Sequence, residues 1–341
     1  MNQKDLKIWK RLYEAADLLK AQKPWELLDD YDFVTVELPA GKEPAFCRVL
    51  GDLENAYAIS VYESSDALFD IIYMMESEDL PWHQESRYNN CLNVIFSDRD
   101  GILPADREML DLLGLRYRGR KAWTKFRVFE KGYDSTRPNI REAARLAEVL
   151  EQLVPAITDM RAENLTLDVE GEETILRRYD RKAKVWETLV APLNDEPKHI
   201  ESFTLTDEIM MSQLKRIKKL QTVVEIDVMH HIISNEDRDS KGKRRLERMA
   251  MACEADKPNE PFLTFPLDYE DEEIATILNI LIGYMKEIGK PREIRLRDDI
   301  IESSIKEICD ELGIKTSVSA SLPAIDAVFE SITGLDEIDE D

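Results

Sequence analysis

Cysteine is scarce: Cys47, Cys91, Cys253 and Cys309 form no CxxC pair and adjoin no cluster of the chain's four histidines. That spacing suggests neither a disulfide framework nor a zinc site, and a reducing cytoplasm is the compartment expected. No apolar run reaches the roughly 20 residues that a membrane span requires. The most apolar stretch, Ile274 to Met285, therefore reads as a buried helix. Met1 to Lys20 carries Lys and Asp among its apolar positions and lacks the core and cleavage site of a signal peptide. Also missing are GxxxxGK[ST], GxGxxG and GxSxG, so the common nucleotide and hydrolase signatures do not apply, and no cofactor is called for. Basic residues are in deficit, 46 against 70 acids, for a formal net charge of −24. Such a balance repels polyanions at long range and disfavours generic nucleic-acid binding, although a local patch can still hold phosphates.

What is present suffices for two domains, with 341 residues of which 43% are apolar. Ile8, Trp9, Leu12, Ala16 and Leu19 recur at helical spacing, predicting a helix over 4–21 that Pro24 ends. Phe33 to Leu38, Ala45 to Leu50 and Ala56 to Tyr62 are short β-rich runs, the pattern of an antiparallel meander. A helix over 65–75, a strand Cys91 to Ser97, a helix Pro104 to Leu113 closed by Gly114 and an edge strand Thr124 to Phe129 follow. Arg141 to Met160 is helical in pattern, with Pro155 expected to kink or end it. Beyond it come a hairpin (Thr174 to Tyr179, Val185 to Val190), a helix to Lys219 capped by Thr206 and Asp207, and a strand Thr222 to His231. A polar loop over 235–243 and a helix over Arg244 to Ala255 are expected next. From Phe262 to Ile332 the pattern is strand, helix, the turn Gly289-Lys290-Pro291, then strand, helix, strand, helix. The fold class expected is α+β: an N-terminal antiparallel sheet with helices over 1–160, a C-terminal mixed α/β domain over 161–335, and an acidic tail over 336–341.

Three groups of residues offer chemistry. Glu225, Asp227 and His231 share one face of a strand, but about 3.3 Å per residue sets Asp227 and His231 too far apart for one ion, so a half-buried strand with a polar face is the reading. Arg116 to Arg127 interleaves bases with aromatics, and Arg118, Arg120, Lys121, Trp123 and Arg127 are the candidates for gripping single-stranded nucleic acid by stacking and charge. The rival arrangement sends Trp123 and Phe126 into the core. Asp268 and Asp298, each ending a strand, and Glu330 on the last helix make a candidate catalytic set, since three converging carboxylates hold divalent cations for phosphodiester cleavage. Asp298 and Asp299 serve equally well as helix N-caps. No residue is assigned as a metal ligand beyond that set, and no Cys–His pair is supported locally.

The order of elements around Asp268, Asp298 and Glu330 resembles the ribonuclease-H-like fold of integrases and transposases, in which a Gly-x-Pro turn precedes the strand carrying the second Asp. Over most of its length the chain also resembles an uncharacterised bacterial two-domain family known only as domains of unknown function. The N-terminal resemblance rests on Pro24-Trp25 with Phe33, on Phe46 to Gly51, on Cys91-Leu92 with Phe96, and on Gly114-Leu115 through Gly132-Tyr133. The C-terminal one rests on Pro261 to Asp268, Gly289-Lys290-Pro291, Leu312-Gly313-Ile314 and Leu322-Pro323, with a departure in the missing Gly soon after Asp268. This family implies a two-domain split and no activity. The expected role is a non-catalytic cytoplasmic binding or accessory protein for a protein or small-molecule ligand, with no membrane partner. The alternatives are a divalent-metal-dependent nuclease or degenerate ribonuclease-H-like protein, and single-strand binding.

Overall fold

An amphipathic N-terminal helix needs an apolar surface, and the strands that follow it supply one. The computed structural model describes residues 2–39, 43–53, 56–77, 85–168, 172–193, 207–231, 242–258, 260–268 and 272–333. They fall into two units: the described residues of Met1–Ile72, Asn89–Lys131 and Ser135–Pro197, and those of Tyr73–Tyr88, Gly132–Asp134 and Lys198–Asp341.

In the first unit, helix α1 (Gln3–Gln22) is followed by the strands β1 (Phe33–Glu37), β2 (Ala45–Leu53) and β3 (Ala56–Tyr62). Helix α2 (Ser65–Glu76) leaves this unit at its end, and the short helix α3 (Glu85–Tyr88) belongs to the second. The chain returns with β4 (Cys91–Ser97), α4 (Pro104–Leu113), β5 (Trp123–Phe129), α5 (Ile140–Glu163), β6 (Glu173–Asp180) and β7 (Val185–Pro192). Alternate residues of the strands, among them Val34, Val36, Cys47, Val49, Ile59 and Val61, form one core with Leu12, Ala16 and Leu19 of α1 and the stripe of α5. All four cysteines are free and buried, Cys47 in this core, where burial raises its thiol to about 12.

The sheet runs β5-β4-β3-β2-β1-β6-β7. Its pairs are antiparallel except β1 with β6, which run parallel, so the expected antiparallel meander is extended by the hairpin of the following segment. Thr174 pins that join: its hydroxyl accepts the Thr35 N–H at 3.1 Å and donates to the Phe33 carbonyl at 2.8 Å. The boundary expected after residue 160 thus lies inside the first unit, which extends to Pro197. Pro155 does not end α5, which continues through it to Glu163. An interior proline costs about 3 kcal/mol, but continuing the helix buries Ile157 and Met160, each at about 1.5–3 kcal/mol.

The second unit contains α6 (Glu208–Arg216), β8 (Val223–His231), β9 (Glu247–Glu254), β10 (Pro261–Leu267), α7 (Glu273–Glu287), β11 (Glu293–Leu296), α8 (Asp299–Leu312), β12 (Lys315–Val318) and α9 (Pro323–Thr333). Its sheet runs β10-β9-β8-β11-β12, which in the unit's own strand order is 3-2-1-4-5. The first three strands are antiparallel; β11 lies parallel to both β8 and β12. Val224, Ile226 and Val228 face α6, α7 and α8 in one core, whereas Met229, Met251 and Cys253 pack under α9 in another. A helix expected over Arg244 to Ala255 is instead strand β9, buried on both sides by those two cores. The 235–243 loop, apart from its last two residues, and the 336–341 tail lie outside the described residues, as do Thr206, His83 and His199.

Gly289 shows why its turn takes glycine. Its φ is +141°, and a Cβ there would sit 2.8 Å from the Leu220 side chain.

Candidate functional site

Period-two alternation sends Glu225 and Asp227 of β8 to the face covered by α9, where an all-apolar surface would otherwise be expected. Glu225 anchors the start of α9 by accepting the Ala324 and Ile325 N–H groups at 2.8 and 3.3 Å. Burial raises its carboxyl above the usual range, against those two bonds.

Asp227, only 2% exposed, is the centre of a larger group. Its neighbours are Asp298, two residues beyond β11 at the N-cap of α8, Glu273 in the first turn of α7, and Asp326 in the first turn of α9. Two arginines tie the four acids together. Arg297 donates from Nε to Asp227 at 2.8 Å and from Nη2 to Asp326 at 2.6 Å, and its other nitrogen reaches the Ala320 carbonyl. Arg87, on α3, pairs with Glu273 and lies 3.7 Å from both Asp227 and Asp298.

Each carboxylate oxygen in the group already has a protein partner. Asp227 Oδ1 accepts the Val228 N–H at 2.9 Å and its Oδ2 accepts Arg297. Asp298 Oδ1 caps α8 through Ile300 and Ile301, and its Oδ2 accepts the Tyr88 hydroxyl at 2.5 Å. Glu273 is shared between Arg87 and His230, whose Nε2 is 2.9 Å away, and Asp326 Oδ2 accepts the Leu322 N–H at 3.0 Å.

The charges follow from burial and pairing. Burial raises the Asp227 carboxyl, opposed by Arg297 and Arg87. For Glu273 burial acts the same way, but Arg87, His230 and Arg248 outweigh it and hold the carboxyl at about 2. On Arg87, burial works against the charge and the surrounding Glu273, Asp298 and Asp227 more than restore it.

A seat for divalent cations needs several carboxylate oxygens facing one open point. The donor set does not fit. Two guanidiniums stand among the acids, and among the described residues no three His, Cys, Asp or Glu side chains are grouped to hold a metal ion.

The expected trio is not gathered. Asp298 is buried in the group, but Asp268 is exposed just beyond β10, its carbonyl accepting from Arg248, and Glu330 is exposed on α9. Spacing in the sequence does not single out Arg87, Glu273, Arg297 or Asp326, and it places Asp227 only on a polar strand face. The signal that finds Asp227 is the acid–apolar alternation of 224–228 combined with β8 as the first strand of its sheet.

On the first unit, the basic and aromatic residues separate into two sets. Arg127 points inward, buried, with both guanidinium nitrogens on Asp106 at 3.1 and 2.7 Å. The Lys121 backbone donates to Asp98 at 2.6 Å and its ammonium lies 4.4 Å from the Tyr57 ring. Arg118 and Arg120 are exposed and Trp123 is half-buried. Beside Trp123 a cavity of about 230 Å³ is lined by Arg99, Arg107, Leu110, Asp111, Leu115 and Arg116.

No described helix is long and apolar enough to cross a membrane. Comparison with known families matches residues 9–178 to a domain of unknown function, DUF7309, and residues 210–333 to another, DUF6930. No curated protein matches the chain. Among solved structures, the cryo-EM structure of the simian T-cell lymphotropic virus intasome in complex with PP2A regulatory subunit B56 gamma is similar at 12% identity and a TM-score of 0.24. That similarity covers 35% of this chain and 42% of the other, so the chain spans less than half of its length.

Proposed function

The chain belongs to the two-domain family that joins DUF7309 to DUF6930, and we propose that it acts as a non-catalytic, cytoplasmic binding or accessory protein. Its second unit, in this reading, is a degenerate ribonuclease-H-like fold. The strand order 3-2-1-4-5, with helices after the third, fourth and fifth strands, supports that assignment. So does the placing of Asp227 on the first strand, Asp298 at the end of the fourth and Asp326 on the last helix. These are a strand, a strand end and a helix, as the carboxylate trio requires, but not the residues first expected.

One observation carries the non-catalytic reading: Arg297 and Arg87 flank buried Asp227. A guanidinium supplies positive charge and directed donors to a carboxylate cluster, as a cation would, but it offers no exchangeable coordination site and cannot generate a bound hydroxide. The acids here hold β8, β11, α7 and α9 together. Nuclease activity would require both arginines to withdraw.

Calorimetric titration of the full chain with Mg²⁺ and Mn²⁺, repeated on Asp227→Asn, tests this. The expected result is no saturable binding that depends on Asp227. Cation binding lost in the variant, or reproducible phosphodiester turnover by the wild type, would remove the proposal.

A further inference from the structure

The cavity beside Trp123 offers a charge arrangement at odds with the rest of the chain. Three guanidiniums, Arg99, Arg107 and Arg116, meet one carboxylate, Asp111, in a protein whose net charge is −24. Asp111 is already taken up by Arg116. Among the described residues no carboxylate lies within ion-pair distance of Arg99 or Arg107, although acids outnumber bases over the chain. The two unpaired guanidiniums, Arg99 and Arg107, line one concavity and repel each other, and an anion placed between them relieves that repulsion while accepting their forked donors.

The wall of the cavity narrows the choice of anion. Trp123 lines it, with the Arg99 guanidinium 5.9 Å from its ring centroid, while Leu110 and Leu115 give apolar surface. An indole next to cations suits a flat ring joined to a phosphate, because the ring stacks while the phosphate takes the arginines. At about 230 Å³ the space falls below the roughly 300–1,000 Å³ of most ligand sites, so it holds no more than one such unit. Two of the groups sit on rigid elements, Arg107 on α4 and Trp123 on β5, while Arg99 opens the short 3-10 turn Arg99–Gly101.

We propose that this cavity binds a nucleotide unit, its phosphate held by Arg99 and Arg107 and its base against Trp123. The inference names a ligand class for the binding role given above and stands on the first unit alone. Arg127, part of the basic run in the sequence, takes no share in it, because its guanidinium is spent on Asp106.

Calorimetry on the full chain at low salt, with inorganic phosphate, a nucleoside monophosphate and a short oligothymidylate as probes, tests it. The expected result is binding of the monophosphate more tightly than phosphate, with affinity falling about tenfold or more in Arg107→Ala and in Arg99→Gln. Trp123→Leu is expected to weaken the monophosphate and leave phosphate unchanged. Equal affinity per site for monophosphate and oligomer would identify a free nucleotide as the source, and much tighter oligomer binding a single strand; both support the site. Binding of none of the probes by folded wild type, or binding indifferent to both arginine substitutions, would overturn it. Arg99 and Arg107 are exposed, so both variants should fold, as circular dichroism would show. Failure here leaves the cation titration of the second unit untouched, so the two proposals fail separately.

Discussion

Arg297 illustrates how one side chain is committed by its surroundings. It is almost wholly buried, at 3% exposure, and its three guanidinium nitrogens go to Asp227, Asp326 and the Ala320 carbonyl. A buried ion pair is a poor source of net stability compared with apolar packing, because desolvation consumes most of the Coulomb gain. Removing one partner is another matter, since the remaining charge stays buried without compensation. Arg297→Ala is therefore expected to destabilise the protein by about 3–5 kcal/mol. The contrasting substitution, Arg118→Ala on an exposed side chain, should stay within about 0.5 kcal/mol. Denaturant unfolding of both variants measures the difference.

Elements that announce themselves locally were legible in the sequence. Strand β4 spans Cys91–Ser97 and helix α4 spans Pro104–Leu113 as expected, because turn chemistry and caps mark their ends. Asp298 likewise caps α8, as its place after a strand suggested. What failed was decided by distant contacts. Met249-Ala250-Met251-Ala252 has helix-forming composition, yet the segment is a strand because β8 and β10 pair with it on both edges. Misreading β9 removed the meander that makes β8 the first strand. The sequence pattern therefore points to Asp268 where the fold places Asp227, and to Glu330, one turn further along α9, where it places Asp326. Arg87 could not be found by spacing at all, since 140 residues separate it from Asp227 in a fold that places them 3.7 Å apart. The parallel pairing of β1 with β6 is non-local in the same way, which is why the domain boundary was expected too early.

For the molecule as a whole, an excess of acid makes stability sensitive to pH, and the buried group gives that sensitivity a definite sign. Glu273 ordinarily titrates near 4.5 and is held at about 2 in the folded protein. The stabilisation it brings is present above 4.5 and is lost as pH falls from there toward 2. Asp227 opposes this, because its raised carboxyl favours protonation in the folded state. Comparing Glu273→Gln with wild type isolates the first effect: between pH 5 and pH 3 the denaturation midpoint of wild type should fall further than that of the variant, at about those pH values where the shift acts. An equal fall in both would show that Glu273 carries no such linkage.

Crystals grown or soaked in millimolar Mn²⁺ offer the most direct test of the central claim, that guanidiniums occupy the acidic centre of the second unit. The account predicts Arg87 and Arg297 in density against Asp227, and no manganese anomalous peak among Asp227, Asp298 and Asp326. A peak bridging those carboxylates, with either arginine displaced, would contradict it.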